Sequence, residues 1–348
     1  GFAQHSPASD RRGADPELEE NGMDRRLVSI VCAVLPAALP GAAIAQAWPV
    51  KPARIMVGYT PGGGVDTTAR IAAQALTEAW GTQVLVENRP GAAGNIATEF
   101  TARAAPDGYT MVLCNIGSHG VTPARFAAKL TYDPIADFAF PARFGGVPNV
   151  LMVHPSVPMK NLRDFIAYAR KNPGKLSFGS SGVGASPHMS IELMKSIARI
   201  DILHVPYKGA SAALADVLAG NLEASVGNFA GAPLAAIRTG RLRALGVTSG
   251  TRSSQMPDIP TFAEQGIEGF DVTGWYGLCT QAKVPSDIIT RINTDVNRML
   301  GAGQTLRQRL VDQGIDIAPA TPAEFAAMVK NEIAKWTQVV RETKLGGD

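Results

Sequence analysis

The sequence predicts a two-lobed α/β protein, on three observations. Strand-like and helical runs alternate from residue 54 onward, and the alternation starts afresh after Gly145-Gly146-Val147-Pro148. Each of the two series also carries a glycine-rich loop between a strand and a helix. Alternation of this kind builds parallel, doubly wound sheets. At 348 residues the chain has room for two ordinary domains, and 45% hydrophobic with 18% charged residues places it among globular proteins.

The first series reads as a strand at 54–59, a turn, and a helix at 65–79 whose inward face is Ala69, Ala72, Ala73 and Leu76. A strand at 83–87, a Gly/Pro-rich loop, a helix at 96–104 and a strand at 110–114 follow. The second series has strands at 149–153, 176–179, 201–206, 223–226 and 242–248. Helices at 161–171, 187–198, 211–219 and 233–239 lie between them. A short helix is expected at 261–265, a strand at 275–280, and two long amphipathic helices at 286–300 and 322–342. That closing stretch is too small for a sheet of its own. Lobe one is therefore expected to comprise 48–147 and 253–348, with lobe two at 148–252.

The first 47 residues read differently. Met23-Asp24-Arg25-Arg26 is a short charged head, residues 27–39 are apolar, and Ala43, Ala45 and Ala47 supply the small side chains a signal peptidase needs. Residues 23–47 are accordingly expected to be a secretory signal peptide, too short in its apolar part to span a bilayer, with 1–22 a non-native or mis-started leader. Removing residues 1–47 takes away four arginines and six acids, leaving a slightly more basic chain. The charges are scattered, which argues against nucleic acid and permits a cleft for anions. Cys114 and Cys279 lie in strand-like runs and read as buried thiols, with a bridge between them as the alternative.

Two loops can carry chemistry. The first holds Tyr59, Thr60, Pro61, Gly62, Gly63 and Asp66; the second holds Ser180, Ser181, Gly184, Ser186 and His188. Glycine lets the backbone approach a ligand, and the helix that starts directly afterwards leaves N–H groups unpaired, so an anion can be held without a lysine or arginine. Ser186 before Pro187 reads as an N-cap and first-turn pair. Asp66 can cap its helix or take the amine of an amino-acid ligand. Tyr207 and Lys208 occupy an equivalent strand-to-helix position, with Lys208 the side-chain cation placed to meet a carboxylate. The histidines have no metal-ligand spacing, and neither Gly-x-Ser-x-Gly nor an acid–histidine pair is present, so no metal, cofactor or catalytic residue is expected.

Motifs throughout the chain resemble one family. They include Tyr-Thr-Pro-Gly-Gly-Gly-Val-Asp at 59–66, Glu-Asn-Arg-Pro-Gly-Ala-Ala-Gly at 87–94, Pro-Asp-Gly-Tyr-Thr at 106–110, His-Val-Pro-Tyr-Lys-Gly at 204–209 and Trp-Tyr-Gly-Leu at 275–278. In this order they are similar to the Bug-type solute receptors of tripartite tricarboxylate transporters, from about residue 48 to the C-terminus. The resemblance implies a type II periplasmic-binding fold whose lobes close on a carboxylate held by backbone N–H groups at 59–66 and 180–188. It also implies a periplasmic, monomeric carrier that hands its solute to membrane subunits. Two departures stand out. Asn228 occupies a place where many relatives have an acid, and Ala212 one where they often have proline. The expected function is thus capture of a small carboxylate: a di- or tricarboxylate, an acidic amino acid or an aromatic acid. The alternatives are a ligand sensor for a membrane signalling partner and an enzyme on the same fold.

Overall fold

Three apolar runs build the first parallel unit. β1 (Ala53–Val57), β2 (Val84–Asn88) and β3 (Thr110–Asn115) pair in the order β2-β1-β3, connected by α1 (Gly64–Trp80) and α2 (Asn95–Ala102). The computed structural model describes residues 48–229 and 231–343, so the expected leader and signal peptide lie outside the described residues. Every residue of β3 is buried, which is why its sequence is a continuous apolar run and not an alternating one. Helix α1 turns Val65, Ala69, Ala72, Ala73 and Leu76 inward. Burying a side chain such as Leu76 is worth roughly 2 kcal/mol, and the alanines let the helix sit close to the sheet. Gly81 ends α1 in the left-handed conformation and donates its N–H to the Thr77 carbonyl.

The strand that ties the molecule together is β4 (Phe138–Val153). Its first part pairs antiparallel with β9 (Thr273–Gln281), itself antiparallel to β3, and with the short β10 (Asp316–Ile317). From Asn149 onward β4 instead pairs with β7 (Ala224–Asn228) and β8 (Arg243–Val247), while β5 (Ser177–Ser180) lies parallel to β6 (Leu203–Pro206) and β7. The sequence places this strand only at 149–153, because Gly145-Gly146-Val147-Pro148 looks like a break. The glycines serve another purpose: a β-carbon on Gly145 would overlap the Asp316 carbonyl, so β10 could not pair there. Pro148 needs no N–H partner, and its carbonyl accepts from Phe229.

Helices α4 (Leu162–Lys171), α5 (Ser186–Ala198), α6 (Ala210–Leu218) and α7 (Ala232–Arg238) accompany the second set of strands. Helices α8 (Ser286–Met299), α9 (Thr305–Asp312) and α10 (Pro322–Thr343) close the chain. Phe325, Val329 and Trp336 of α10 are buried, in agreement with a core-facing stripe. Two sequence expectations are corrected, and one segment is new. Residues 261–265 form turns and not a helix, because Thr261 bridges to Val247 and Phe262 donates to the Val247 carbonyl. Cys114 and Cys279 are joined in a disulfide and are not free thiols, since the β3–β9 pairing brings their Cα atoms to 5.8 Å. A short segment after β3, comprising a wide helical turn at Gly117–Val121 and α3 (Thr122–Phe126), had no sequence signal. Among the described residues no helix is long and apolar enough to cross a membrane.

Candidate functional site

The ends of strands from both sheets converge on a cavity of about 450 Å³, counting its open mouth. The turn after β1 and the start of α1 form one wall, with Tyr59, Thr60, Gly63, Gly64 and Val65. The start of α5 forms the opposite wall, with Ser181, Ala185, Ser186 and Pro187, while Asn115, Asn228, Trp275 and Tyr276 close the base. The walls touch. Thr60 Oγ1 is 3.3 Å from Ser211 Oγ, which in turn lies 3.4 Å from the Pro61 carbonyl, and a β-carbon on Gly209 would overlap the Thr60 side chain. The first N–H groups of both helices precede their first intrahelical bonds and carry the positive end of the helix dipole, so each wall is suited to an anion.

A carboxylate fixes the first wall. Asp66 is 2% exposed, and its Oδ2 accepts the Gly62 N–H at 2.9 Å and Arg70 Nε at 2.9 Å. Its Oδ1 accepts Arg70 Nη2 at 3.0 Å and Asn88 Nδ2 at 2.8 Å. Burial pushes the Asp66 carboxyl up, but the bonds from Arg70, Gly62 and Asn88 outweigh it and hold the group below its usual range. Asp66 thus ties the loop before α1 to the first turn of the helix; it is not the helix cap, a position held by Gly63 with no side-chain bond. Gly62 has φ +86° with open space around its missing side chain, so it is the backbone conformation that demands glycine there.

The second wall is fixed by neutral imidazoles. His188 lies 5% exposed beneath the loop, and its Nδ1 accepts the Gly184 N–H at 3.2 Å. Its ring sits 4.0 Å from that of His204, which stacks on Phe178 and meets Ser180 Oγ through Nε2 at 2.6 Å. Burial, then neighbouring His204, Arg125 and Lys195, lowers His188 to about 2; burial, then Lys195 and Arg125, lowers His204 to about 4. Both rings are therefore uncharged at neutral pH. Ser186 is not an N-cap: Ala185 holds that position, and Ser186 Oγ instead accepts from Asn149 Nδ2 at 2.8 Å.

That last bond belongs to a relay across the base. Ser190 Oγ donates to the Ser186 carbonyl, so toward Asn149 it can only accept, which fixes Nδ2 of Asn149 on the serine side at 2.7 Å. Asn149 Oδ1 then faces Asn228 Nδ2 at 2.9 Å, and Asn228 Oδ1 accepts the Tyr276 hydroxyl at 2.7 Å. Burial raises the Tyr276 hydroxyl, and Tyr59 beside it, well above the usual range, so both remain donors. Tyr59 Oη donates to the Ala93 carbonyl at 2.8 Å, holding the first wall against the loop before α2.

Of the residues singled out from sequence, the cavity gathers Tyr59, Thr60, Gly63, Ser181, Ser186 and Asn228. Gly62, Asp66, Gly184, His188 and Ser180 stand behind the walls and shape them, and Pro61 meets the other lobe through its carbonyl. Tyr207 and Lys208 face a neighbouring pocket of about 600 Å³ with Gly58, Gly91 and Val183. Asn115, Ile116, Trp275 and Tyr276 were missed. Trp275 and Tyr276 lie within a strand motif that carried the family resemblance, which was the available signal; Asn115 had none.

Comparison with known proteins agrees with this geometry. The sequence profile of the tripartite tricarboxylate transporter family receptor matches residues 68–345. A Pseudomonas protein described as a UPF0065 protein in the tcbD-tcbE intergenic region is 33% identical over 334 residues, covering 96% of this chain and 98% of its own. BugT of Bordetella pertussis is 32% identical over 321 residues, covering 92% and 98%. Among solved structures, Rpa4515 of R. palustris with adipate has TM-score 0.81 at 32% identity, covering 85% of this chain and 98% of that one. MatC of Rhodopseudomonas palustris with bound malate has TM-score 0.78 at 31% identity, covering 84% and 100%. The fold is that of the periplasmic binding proteins, two α/β lobes with a cleft between them.

Proposed function

We propose, from the premise that this chain belongs to the tripartite tricarboxylate transporter receptor family, that it captures a small carboxylate outside the cytoplasm for membrane subunits of a tripartite transporter. The family consists of solute-binding receptors and not enzymes. One observation carries the reading: two helix starts, one from each wall, face each other across a cavity with no charged side chain among its lining residues. An anion entering there is met by main-chain N–H groups and by the hydroxyls of Thr60, Ser181 and Ser186. The adipate and malate bound to the two similar structures support a carboxylate as the class.

The binding residues of this reading are Tyr59, Thr60, Gly63, Ser181, Ser186 and Asn228, with Asp66 and His188 positioning the two loops. The lobes, one on each set of strands, move about the crossing at Pro148–Asn149 on β4 and Val272–Thr273 before β9, where Pro148 pairs with Thr273. The receptor works in the periplasm as a monomer, exported by a cleaved signal peptide at 23–47. A thermal-shift screen over di- and tricarboxylates, aromatic acids and amino acids tests the reading, because a ligand that binds only the folded state raises its melting temperature. A rise with at least one carboxylate is expected; a flat response to all of them contradicts the proposal.

A further inference from the structure

We infer that the cavity selects against an ammonium group, so that the ligand is a carboxylate without an amine, and that Asn228 is a residue that sets this preference. The inference rests on the carboxylate reading above and narrows it. An ammonium taken out of water needs a carboxylate or a set of free acceptors around it, and without them its burial is heavily penalised. Asp66 is the acid nearest the first wall in sequence, and it is saturated. Its two oxygens already accept four hydrogen bonds, from Gly62, twice from Arg70 and from Asn88, which fills the acceptor sites a carboxylate offers. It also stands outside the cavity lining, and among the described lining residues there is neither Asp nor Glu.

The remaining acceptors are few. Asn115 Oδ1 already accepts from Gly117 at 2.8 Å and Ser118 at 3.3 Å. Asn228 is oriented by the relay: Ser190 fixes Asn149, Asn149 fixes Asn228 Nδ2, and the Tyr276 hydroxyl occupies one acceptor position of Asn228 Oδ1. What Asn228 retains is a second Nδ2–H and a single oxygen lone pair, on a group without charge. The acceptors the cavity lining offers are thus neutral oxygens, with no carboxylate among them. That suits carboxylate oxygens and does not suit a cation.

Calorimetric titration of the wild-type protein with matched pairs tests the inference: succinate against aspartate, glutarate against glutamate, 3-phenylpropionate against phenylalanine. In whichever pair binds, the amine is expected to weaken binding at least ~30-fold. Asn228→Asp places a carboxylate at the base, and is expected to weaken the plain acid ~10-fold or more and to narrow the gap to its amino acid. The wild-type pairs decide the matter even if that variant fails to fold. An amino acid that binds the wild type as tightly as its plain acid overturns the inference and leaves the carboxylate reading standing. If neither these pairs nor any other carboxylate of the thermal-shift screen binds, the carboxylate reading falls and the inference with it.

Discussion

The loop entering α1 and the loop entering α5 have the same backbone plan, a glycine in the left-handed region one turn before a helix, yet they are held by opposite chemistry. Gly62, at φ +86°, gives its N–H to the ionised carboxylate of Asp66. Gly184, at φ +82°, gives its N–H to the neutral ring of His188. The first loop leans on a charge partly solvated through Arg70, whose side chain is 52% exposed; the second leans on an uncharged stack of buried His188 and Phe178 with half-buried His204. The lesson is that the anion-binding N–H groups come from the backbone, while the side chains behind them decide under what conditions each wall keeps its shape.

The largest way to break the comparison is Asp66→Ala. It leaves the Gly62 N–H without its acceptor and Arg70 without its buried partner, and is expected to cost about 3 kcal/mol of stability and at least ~10-fold in carboxylate affinity. Denaturant unfolding and calorimetry read the two effects, and unchanged values for both contradict the role given to Asp66.

The next contrast is between the glycines. A β-carbon at Gly184 meets both an unfavourable φ and Phe126 Cε2 at 3.2 Å, whereas at Gly62 it meets open space and only the backbone strain. Gly184→Ala is therefore expected to cost about 2–3 kcal/mol and Gly62→Ala about 1–2 kcal/mol, by the same unfolding measurement. Equal costs would mean that the two loops are constrained alike.

Acid sharpens the difference with the smallest effect. His204 takes its proton at about 4 in the fold and at its usual 6.5 when unfolded. The unfolded chain binds more protons between those values, so stability is full above pH 6.5 and is lost as pH falls toward 4. Asp66, held below its usual 3.8, keeps its contribution throughout that window and loses it only as pH falls further. Unfolding at pH 7 and pH 4.5 is expected to differ through His204 on the order of 1–2 kcal/mol, less whatever solvent screening removes, on top of what His188 and His119, also held below 6.5, lose in the same window. His204→Gln should reduce that slope, leaving the part due to His188 and His119. An unaltered slope would show that the stack is not what holds the second loop.

Much of this was legible in the sequence, for identifiable reasons. The βαβ unit from Ala53 and the loops at 59–66 and 180–188 are local patterns, and strand, glycine and helix start follow one another within a few residues. What stayed hidden depends on contacts between distant segments. Gly145-Gly146-Val147-Pro148 reads as a break until β10 is seen lying against it. The Cys114–Cys279 bond follows from a β3–β9 pairing across 165 residues. Asn149, fully buried, gave no signal because its meaning lies in Ser186, Ser190 and Asn228, three partners on two other elements.

The central claim, a ligand gripped by both lobes, is tested most directly by small-angle X-ray scattering with and without a saturating carboxylate. The Thr60–Ser211 contact and the packing of Gly209 on Thr60 describe lobes already closed on each other. A ligand held by both walls stabilises that closed form over an open one, because only there do both helix starts reach it. The radius of gyration is expected to fall when the carboxylate is added. A radius that stays the same at saturation would contradict the account, since a solute held by one lobe alone has no preference between the two states.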